Sequence, residues 1–367
     1  MSGFSAAPSS CSGSGAGGIL PFAKPAGMTS FAAIGAVKRA LRPENRTAAK
    51  GRLRVGHTGT LDAFADGLLV VLTGSFTRLA PFITALPKTY HALVRFGIQT
   101  DTLDPQGTII RRTALPSAGA IRSVLPAFTG NILQKPPEYS ALKQNGERLS
   151  DLMRKGSPVV PAARPVTVYR LDAELFYGED GRSGPPGSFP DEKPVTAAVL
   201  TVRCSKGTYV RALARDIAAA AGSAAFLLAL RRLCVGPFRL ADSAGFSLLP
   251  AFASGDAVSA AVLSEEPVRQ EKPGTLPAEE EIRAKRLLFT PELASACGLS
   301  PLFLADEAAA RDFRCGKPFS PVWLAAAESG FTPADGMHYP VFFRGSLAGF
   351  IRSAGEKFRY DFVAGRD

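Results

Sequence analysis

Asp62 is the carboxylate whose surroundings most favour chemistry. It ends the stretch Gly56-His57-Thr58-Gly59-Thr60-Leu61-Asp62, on a loop punctuated by Gly56, Gly59 and Gly67, and the apolar run Leu68 to Leu72 follows soon after. A carboxylate on a loop beside a packed strand is positioned, and a positioned carboxylate can serve as nucleophile or general base. The structural alternative is a helix cap, since Asp caps well and Ala63-Phe64-Ala65 offers the start of a helix. His57 carries a similar choice, between proton transfer and a loop histidine donating to a backbone carbonyl. Arg211 and Arg215 lie one helical turn apart, away from an apolar stripe of Val210 and Leu213. An arginine brought against a carboxylate holds it ionised and oriented, whereas in solvent the two are an ordinary surface pair. Tyr90 and Tyr209 are core or edge aromatics by default, and either can stack on an unpaired base. Lys38, Arg39, Arg42, Arg46, Lys50, Arg52 and Arg54, with Glu44 as the sole counter-charge, lead into the Gly-rich loop. They form a phosphate-binding approach or a solvated face.

These side chains need elements to hold them. Gly18 to Phe22 reads as a first strand, and Lys24-Pro25-Ala26-Gly27 as a turn. The helix that follows is capped by Thr29 or Ser30, carries Ile34, Val37 and Leu41 on one stripe, and stops at Pro43. Tyr90 to Phe96 alternates, with Tyr90, Ala92, Val94 and Phe96 on one face, as a half-buried strand should. Ala198 to Cys204 alternates again before Ser205-Lys206-Gly207 breaks the pattern. A second helix then carries Val210, Leu213, Ala214 and Ile217, with Thr208 as its cap and Gly222 at its end. Gly178 to Pro194 reads as an inserted loop. The domain plan is a flexible tail over 1–18, a catalytic domain over 19–254, a linker over 255–286 and a small β-rich module over 287–367, with Tyr339 to Phe343 and Leu347 to Ile351 as strands.

Composition narrows the function classes. The 367 residues carry 43 Lys and Arg against 32 Asp and Glu, a formal charge of +11 that favours an anionic partner, nucleic acid first. There is no apolar run long enough to span a bilayer, and Met1 to Gly18 lacks the basic start and apolar block of a signal peptide. Cys11, Cys204, Cys234, Cys297 and Cys315 are odd in number and widely spaced, which fits a reducing cytoplasm better than a disulfide framework. Three His and scattered Cys offer no crowded metal constellation, and there is no glycine-rich nucleotide motif, so a reaction without cofactor or metal is expected.

Several segments together resemble one family. His57-Thr58-Gly59-Thr60-Leu61-Asp62 with Gly67-Leu68-Leu69, then Lys88-Thr89-Tyr90, Tyr139-Ser140-Ala141-Leu142-Lys143, Ser205-Lys206-Gly207-Thr208-Tyr209-Val210-Arg211 and Leu230-Arg231-Arg232-Leu233 are similar in order and spacing to the TruB-type tRNA pseudouridine synthases. Lys24-Pro25-Ala26-Gly27-Met28 matches the family's opening turn. The resemblance implies an α+β pseudouridine synthase fold, with a central, mainly antiparallel sheet flanked by helices and a small C-terminal PUA-like module. The module is marked by Phe313 to Pro318 and Leu347 to Phe350. The implied reaction is isomerisation of uridine in the T-loop of tRNA by base flipping. The resemblance implies Asp62 as nucleophile, Arg211 as its partner, Tyr90 as the stacking base platform, Tyr209 as the aromatic beside it and His57 as a wedge. Tyr139 to Arg164, with Lys143, Arg148, Arg154 and Lys155, matches a clamp on the RNA stem-loop, and Lys24 and Arg231 join the RNA-binding set.

The expected partner is the T-arm of tRNA, bound by a cytoplasmic monomer that needs neither membrane, guide RNA nor protein partner. Ala63, Phe64 and Asp66 depart from the family pattern, and Asp66 places a second carboxylate near Asp62. The competing classes are an RNA methyltransferase or base exchanger, a non-catalytic RNA-binding protein, and a guide-RNA-dependent relative. Activity on bare tRNA without added cofactor separates them.

Overall fold

The run Leu68-Leu69-Val70-Val71-Leu72 is apolar at every position, which suits a strand covered on both faces. The computed structural model describes residues 17–41, 53–140, 143–144, 147–148, 161–177, 182–253, 273–325, 331, 333–355 and 357–364. There the run lies in a wholly buried strand of a large sheet. In chain order the strands leading to the middle of that sheet are β1 (Gly18–Lys24), β2 (Val55–His57), β3 (Asp66–Thr73) and β4 (Lys88–Phe96). A small hairpin of β5 (Ile98–Thr100) and β6 (Ile109–Arg112) follows, then β7 (Gly130–Gln134), a second small hairpin of β8 (Lys143–Gln144) and β9 (Glu147–Arg148), and β10 (Arg164–Tyr177). The remaining strands of the sheet are β11 (Arg182–Gly184), β12 (Ala197–Cys204), β13 (Ala225–Val235) and β14 (Phe238–Arg239).

The main order is β1-β3-β13-β4-β12-β10-β11, with β2 on β3, β7 on β10 and β14 on β13. Pairing is antiparallel apart from β3 with β13, where Asp66 lies opposite Arg231 and Gly67 opposite Arg232. The predicted mainly antiparallel sheet is therefore present. The period-two reading holds as well: Ala92, Val94 and Phe96 of β4 join Leu200, Val202 and Cys204 of β12 in one core, with Tyr90 packed against it.

Helices α1 (Ser30–Ala40), α2 (Ala80–Ala85), α3 (Ala118–Val124) and α4 (Val210–Ala220) cover the sheet. Thr29 caps α1, its side chain accepting from the Ala32 N–H at 3.1 Å. Val210, Leu213, Ala214 and Ile217 of α4 enter the β4 and β12 core, where each fully buried Val, Leu or Ile contributes roughly 1.5–3 kcal/mol. The predicted Thr208 cap is absent. Tyr209 occupies the N-cap position, the Thr208 hydroxyl donates to the Ser205 carbonyl at 3.1 Å, and the Gln134 side chain bonds both backbone groups of Tyr209.

The segment read as an inserted loop, Gly178 to Pro194, contains β11, paired with β10; residues 178–181 lie outside the described residues. In the segment read as a linker, 255–272 lies outside them too, while α5 (Glu279–Ala284) docks on α1 through buried Ile282 and an Arg283 Nε bond of 2.8 Å to the Ala40 carbonyl. The tail over 1–16 and the basic residues over 42–52 are likewise outside. The C-terminal part has the two expected strands as β16 (His338–Phe343) and β17 (Ser346–Ala354). They are flanked by β15 (Leu302–Phe303) and β18 (Lys357–Val363), with α6 (Pro291–Ala296) and α7 (Glu307–Arg314) alongside. Its Phe289, Phe342, Phe350 and Phe362 share a core with Ile19, Leu68, Val70 and Leu72 of the large sheet. Among the described residues no helix is long and apolar enough to cross a membrane.

Candidate active site

Asp62 lies on the loop between β2 and β3, and three neighbouring groups fix that loop. The Ser30 hydroxyl at the start of α1 accepts from the Leu61 N–H at 2.9 Å and donates to the Leu61 carbonyl at 3.0 Å. The Gly27 N–H donates to the Ala63 carbonyl at 2.8 Å. Lys24 is fully buried, and its ammonium donates to the carbonyls of Ala65 and Met28 at 2.6 Å each and of Pro25 at 2.9 Å. Leu61, Phe64 and Ala65 are buried in the α4 core, so the loop backbone is pinned on both sides of Asp62. No helix begins at Ala63, which removes the capping role for Asp62.

The Asp62 carboxylate is 37% exposed, while its partner Arg211 is 4% exposed. Arg211 Nε stands 2.9 Å from Asp62 Oδ2, a charge contact in which the N–H is not aimed at the oxygen. The rest of the guanidinium is held from behind. Nη1 donates to the Thr102 carbonyl at 2.6 Å and reaches Asp104 Oδ2 at 3.3 Å, and Nη2 donates to the Tyr139 carbonyl at 3.0 Å. Leu103, between the first two partners, adopts φ of +61°, a conformation costly for a branched side chain. It is buried and its carbonyl accepts from Leu227 N–H at 3.1 Å, so the β5–β6 turn is pinned where it meets Arg211. Burial pushes the Asp104 carboxyl up, against the pull of Arg211 and of hydrogen bonds from Thr102 and Gln106.

A cavity of about 270 Å³ opens beside Asp62, with Tyr90, Tyr209, Arg211, Lys88 and Arg232 on its walls. Burial raises the Tyr90 phenol although part of the ring reaches the cavity, and the Arg232 charge works in the opposite direction. Arg164 sits 5.1 Å over the Tyr209 ring. Burial lowers both Lys24 and Lys88 to about 8.

A larger cavity, about 480 Å³, lies across the loop between Phe64, Asp66, Leu93, Arg231 and Phe252. Among the described residues its lone carboxylate is engaged: Arg231 Nε and Nη2 grip Asp66 at 2.7 and 2.6 Å, and both residues are buried. The smaller cavity is thus the one where a carboxylate is accessible. The same geometry separates the two neighbouring aspartates, Asp62 facing open space and Asp66 closed in an ion pair.

Of the residues singled out from sequence, Asp62, Tyr90, Arg211 and Tyr209 meet around one cavity. Three lie elsewhere. His57 stands on β2 opposite Val71, its Nδ1 buried without a partner among the described residues, and burial together with the Arg232 charge lowers its pKa. Lys24 is turned inward onto carbonyls, and Arg231 is held by Asp66. Lys143 lies opposite Arg148 in the β8–β9 hairpin, whereas Arg154 and Lys155 fall outside the described residues. Sequence reasoning missed Arg232, Asp104, Lys88 and Ser30 as members or supports of the site. Alternation was an available signal for Arg232, because the residue opposite Tyr90 must share its face. Asp104 gave none: Asp104-Pro105-Gln106-Gly107 reads as a plain turn.

Comparison with known proteins bears on this arrangement. The family described as TruB family pseudouridylate synthase (N terminal domain) matches residues 46–210. A tRNA pseudouridine synthase B of Treponema denticola is 42% identical over 315 residues, covering 83% of this chain and 85% of that protein. Its namesake from Treponema pallidum is 40% identical over 366 residues, 94% and 96% of the two chains. Among solved structures, an H/ACA ribonucleoprotein bound to a substrate RNA containing 2'-deoxyuridine and a Cbf5-Nop10-Gar1 complex align with TM-scores of 0.57 and 0.56, at 19% and 20% identity. Each alignment covers 94% of this chain and 84% of the other, and shows the fold alone.

Proposed function

The chain belongs to the TruB family of pseudouridine synthases, and from that membership we propose that it isomerises uridine to pseudouridine in the T-loop of tRNA, with Asp62 as the catalytic nucleophile. The observation that carries the assignment is the accessible Asp62 carboxylate paired with a buried Arg211 at the edge of a cavity walled by Tyr90.

The reaction breaks the bond from ribose C1′ to N1 of the base, turns the base, joins C1′ to C5, and loses the C5 proton while N1 gains one. It is redox-neutral. Three first steps suit Asp62: addition to C1′, addition to C6 of the base, or removal of a ribose proton. In each, Arg211 orients the carboxylate, and Asp104 with the Thr102 and Tyr139 carbonyls keeps Arg211 from moving toward solvent. The cavity has room for a nucleoside and not for a stacked loop, so the target base leaves its stack, and Tyr90 offsets part of the few kcal/mol lost. Tyr209, backed by Arg164, offers a second aromatic face at the rim. Lys206 at the exposed turn before α4 is placed to meet backbone phosphate. Lys24 and Arg231, engaged inside the protein, support the catalytic loop instead of the RNA.

The T-arm of tRNA is the substrate in this reading, and neither guide RNA nor protein partner is required. The test is to incubate purified protein with unmodified tRNA transcript alone and map pseudouridine. Wild type should form it in the T-loop, and Asp62→Asn should form none while still binding the transcript. Product from Asp62→Asn would remove the nucleophile assignment; no product from wild type would remove the function.

A further inference from the structure

Arg231 and Arg232 are chemically identical neighbours on β13, and the strand sends them to opposite faces. Arg231 closes on Asp66. Arg232 lies opposite Tyr90 of β4 and Gly67 of β3, and its side chain enters the catalytic cavity. It is 2% exposed. Nε donates to the Leu68 carbonyl at 2.7 Å and Nη2 to the Gly59 carbonyl at 3.0 Å, and across the β4–β13 pair the residue faces Tyr90 on the wall of the same cavity, where burial raises the phenol and the guanidinium charge opposes that rise.

We propose that Arg232 is a positioning residue of the reaction: it ties the start of the Asp62 loop to the Tyr90 ring, so that carboxylate and stacking face meet one nucleoside in register. The proposal rests on the pseudouridine synthase reading.

Two features separate this from ordinary packing. The hydrogen bonds of Arg232 go to two carbonyls and not to a carboxylate, so among the described residues it is a buried cation without the direct counter-charge that Arg231 has. Such a group is unfavourable for stability alone, and its charge falls on the cavity, where it adds to burial in lowering Lys88; outside the cavity it adds to burial in lowering His57. The backbone, too, is built to bring Arg232 close. Gly67 has φ of +106°, and a Cβ there would stand 2.5 Å from the Arg232 carbonyl oxygen and 2.7 Å from its nitrogen, so only glycine lets β13 approach the end of the catalytic loop.

The test is a double-mutant cycle on tRNA turnover with Arg232→Lys, Tyr90→Phe and the pair. Arg232→Lys keeps the charge and loses the planar fork. It should lower kcat about 30-fold with KM within about twofold, and in the Tyr90→Phe background it should lower kcat by no more than about threefold further. Losses that multiply, or a loss confined to KM, overturn the role of Arg232 while leaving the function intact. Wild type without product overturns the functional reading instead. A second measurement does not depend on an Arg232 variant folding: hydrogen exchange in Tyr90→Phe should quicken about threefold over residues 58–65 and stay constant in the C-terminal sheet. Unchanged exchange in that loop overturns the tie between Tyr90 and Gly59.

Discussion

At the scale of single residues, the site works through cations set at different depths. Arg211 is fixed from behind by carbonyls and Asp104 and presents one edge to Asp62. Replacing it with Lys removes the fork, and hydrogen bonds to charged groups of about 1.5–3 kcal/mol translate to a kcat loss of roughly 10- to 100-fold, measurable in single-turnover assays. Lys24 and Lys88 hold carbonyls at the catalytic loop and ahead of β4, and both are lowered from 10.5 to about 8 by burial. The folded value lies below the unfolded one, so the folded state binds these protons less tightly. Between about pH 8 and 10.5 proton loss therefore favours folding, and these lysines add stability as pH rises. Activity should move the other way, falling above about pH 8 as the ammonium donors are lost. A kcat profile compared with thermal midpoints over that window checks the divergence, and a flat kcat profile would take both lysines out of the positioning network.

At the scale of elements, α1 and β13 act on the same loop from two sides. Ser30→Ala removes both hydrogen bonds to Leu61, about 1–2 kcal/mol, and should lower kcat several-fold with tRNA affinity unchanged. Gly67→Ala meets backbone at a positive φ and should destabilise the protein by at least about 2 kcal/mol in denaturant unfolding. The strands and helices around this loop were legible because their signals are local. Period-two alternation marked β4 and β12, helical spacing marked α4, and Pro43 with Thr29 bounded α1. That Asp62, Tyr90 and Arg211 would meet at one place was legible through motif order, and their roles are those proposed above. Asp104 and Ser30 were not, because their roles arise from partners 107 and 31 residues distant, a relation no local pattern carries. Arg231 and Arg232 failed for another reason: the sequence shows two arginines, and only strand phase decides which one meets the cavity. The β11 strand was hidden by loop-like composition, since its pairing with β10 supplies the order.

At the scale of the whole molecule, the large sheet and the C-terminal strands are joined by packing. Phe350 stacks on Phe82 and Phe362, Arg78 donates to the Val363 carbonyl at 3.3 Å, and Ile19 and Leu287 exchange backbone hydrogen bonds. Calorimetry should show one unfolding transition. Phe350→Ala, which empties part of the shared core at a cost of about 3–5 kcal/mol, should lower its midpoint without splitting it. Two resolved transitions would mean that the parts fold separately. With a charge of +11, tRNA affinity should fall linearly in log-log against salt, and the slope counts the phosphates engaged. The shared core has one more consequence. A module held by packed phenylalanines cannot slide, so the span from its outer surface to Asp62 is a fixed gauge length. Under the proposed function, an RNA that touches both would be accepted or refused by whether its own dimensions fit that gauge, and the adjustment of fit would fall to the RNA.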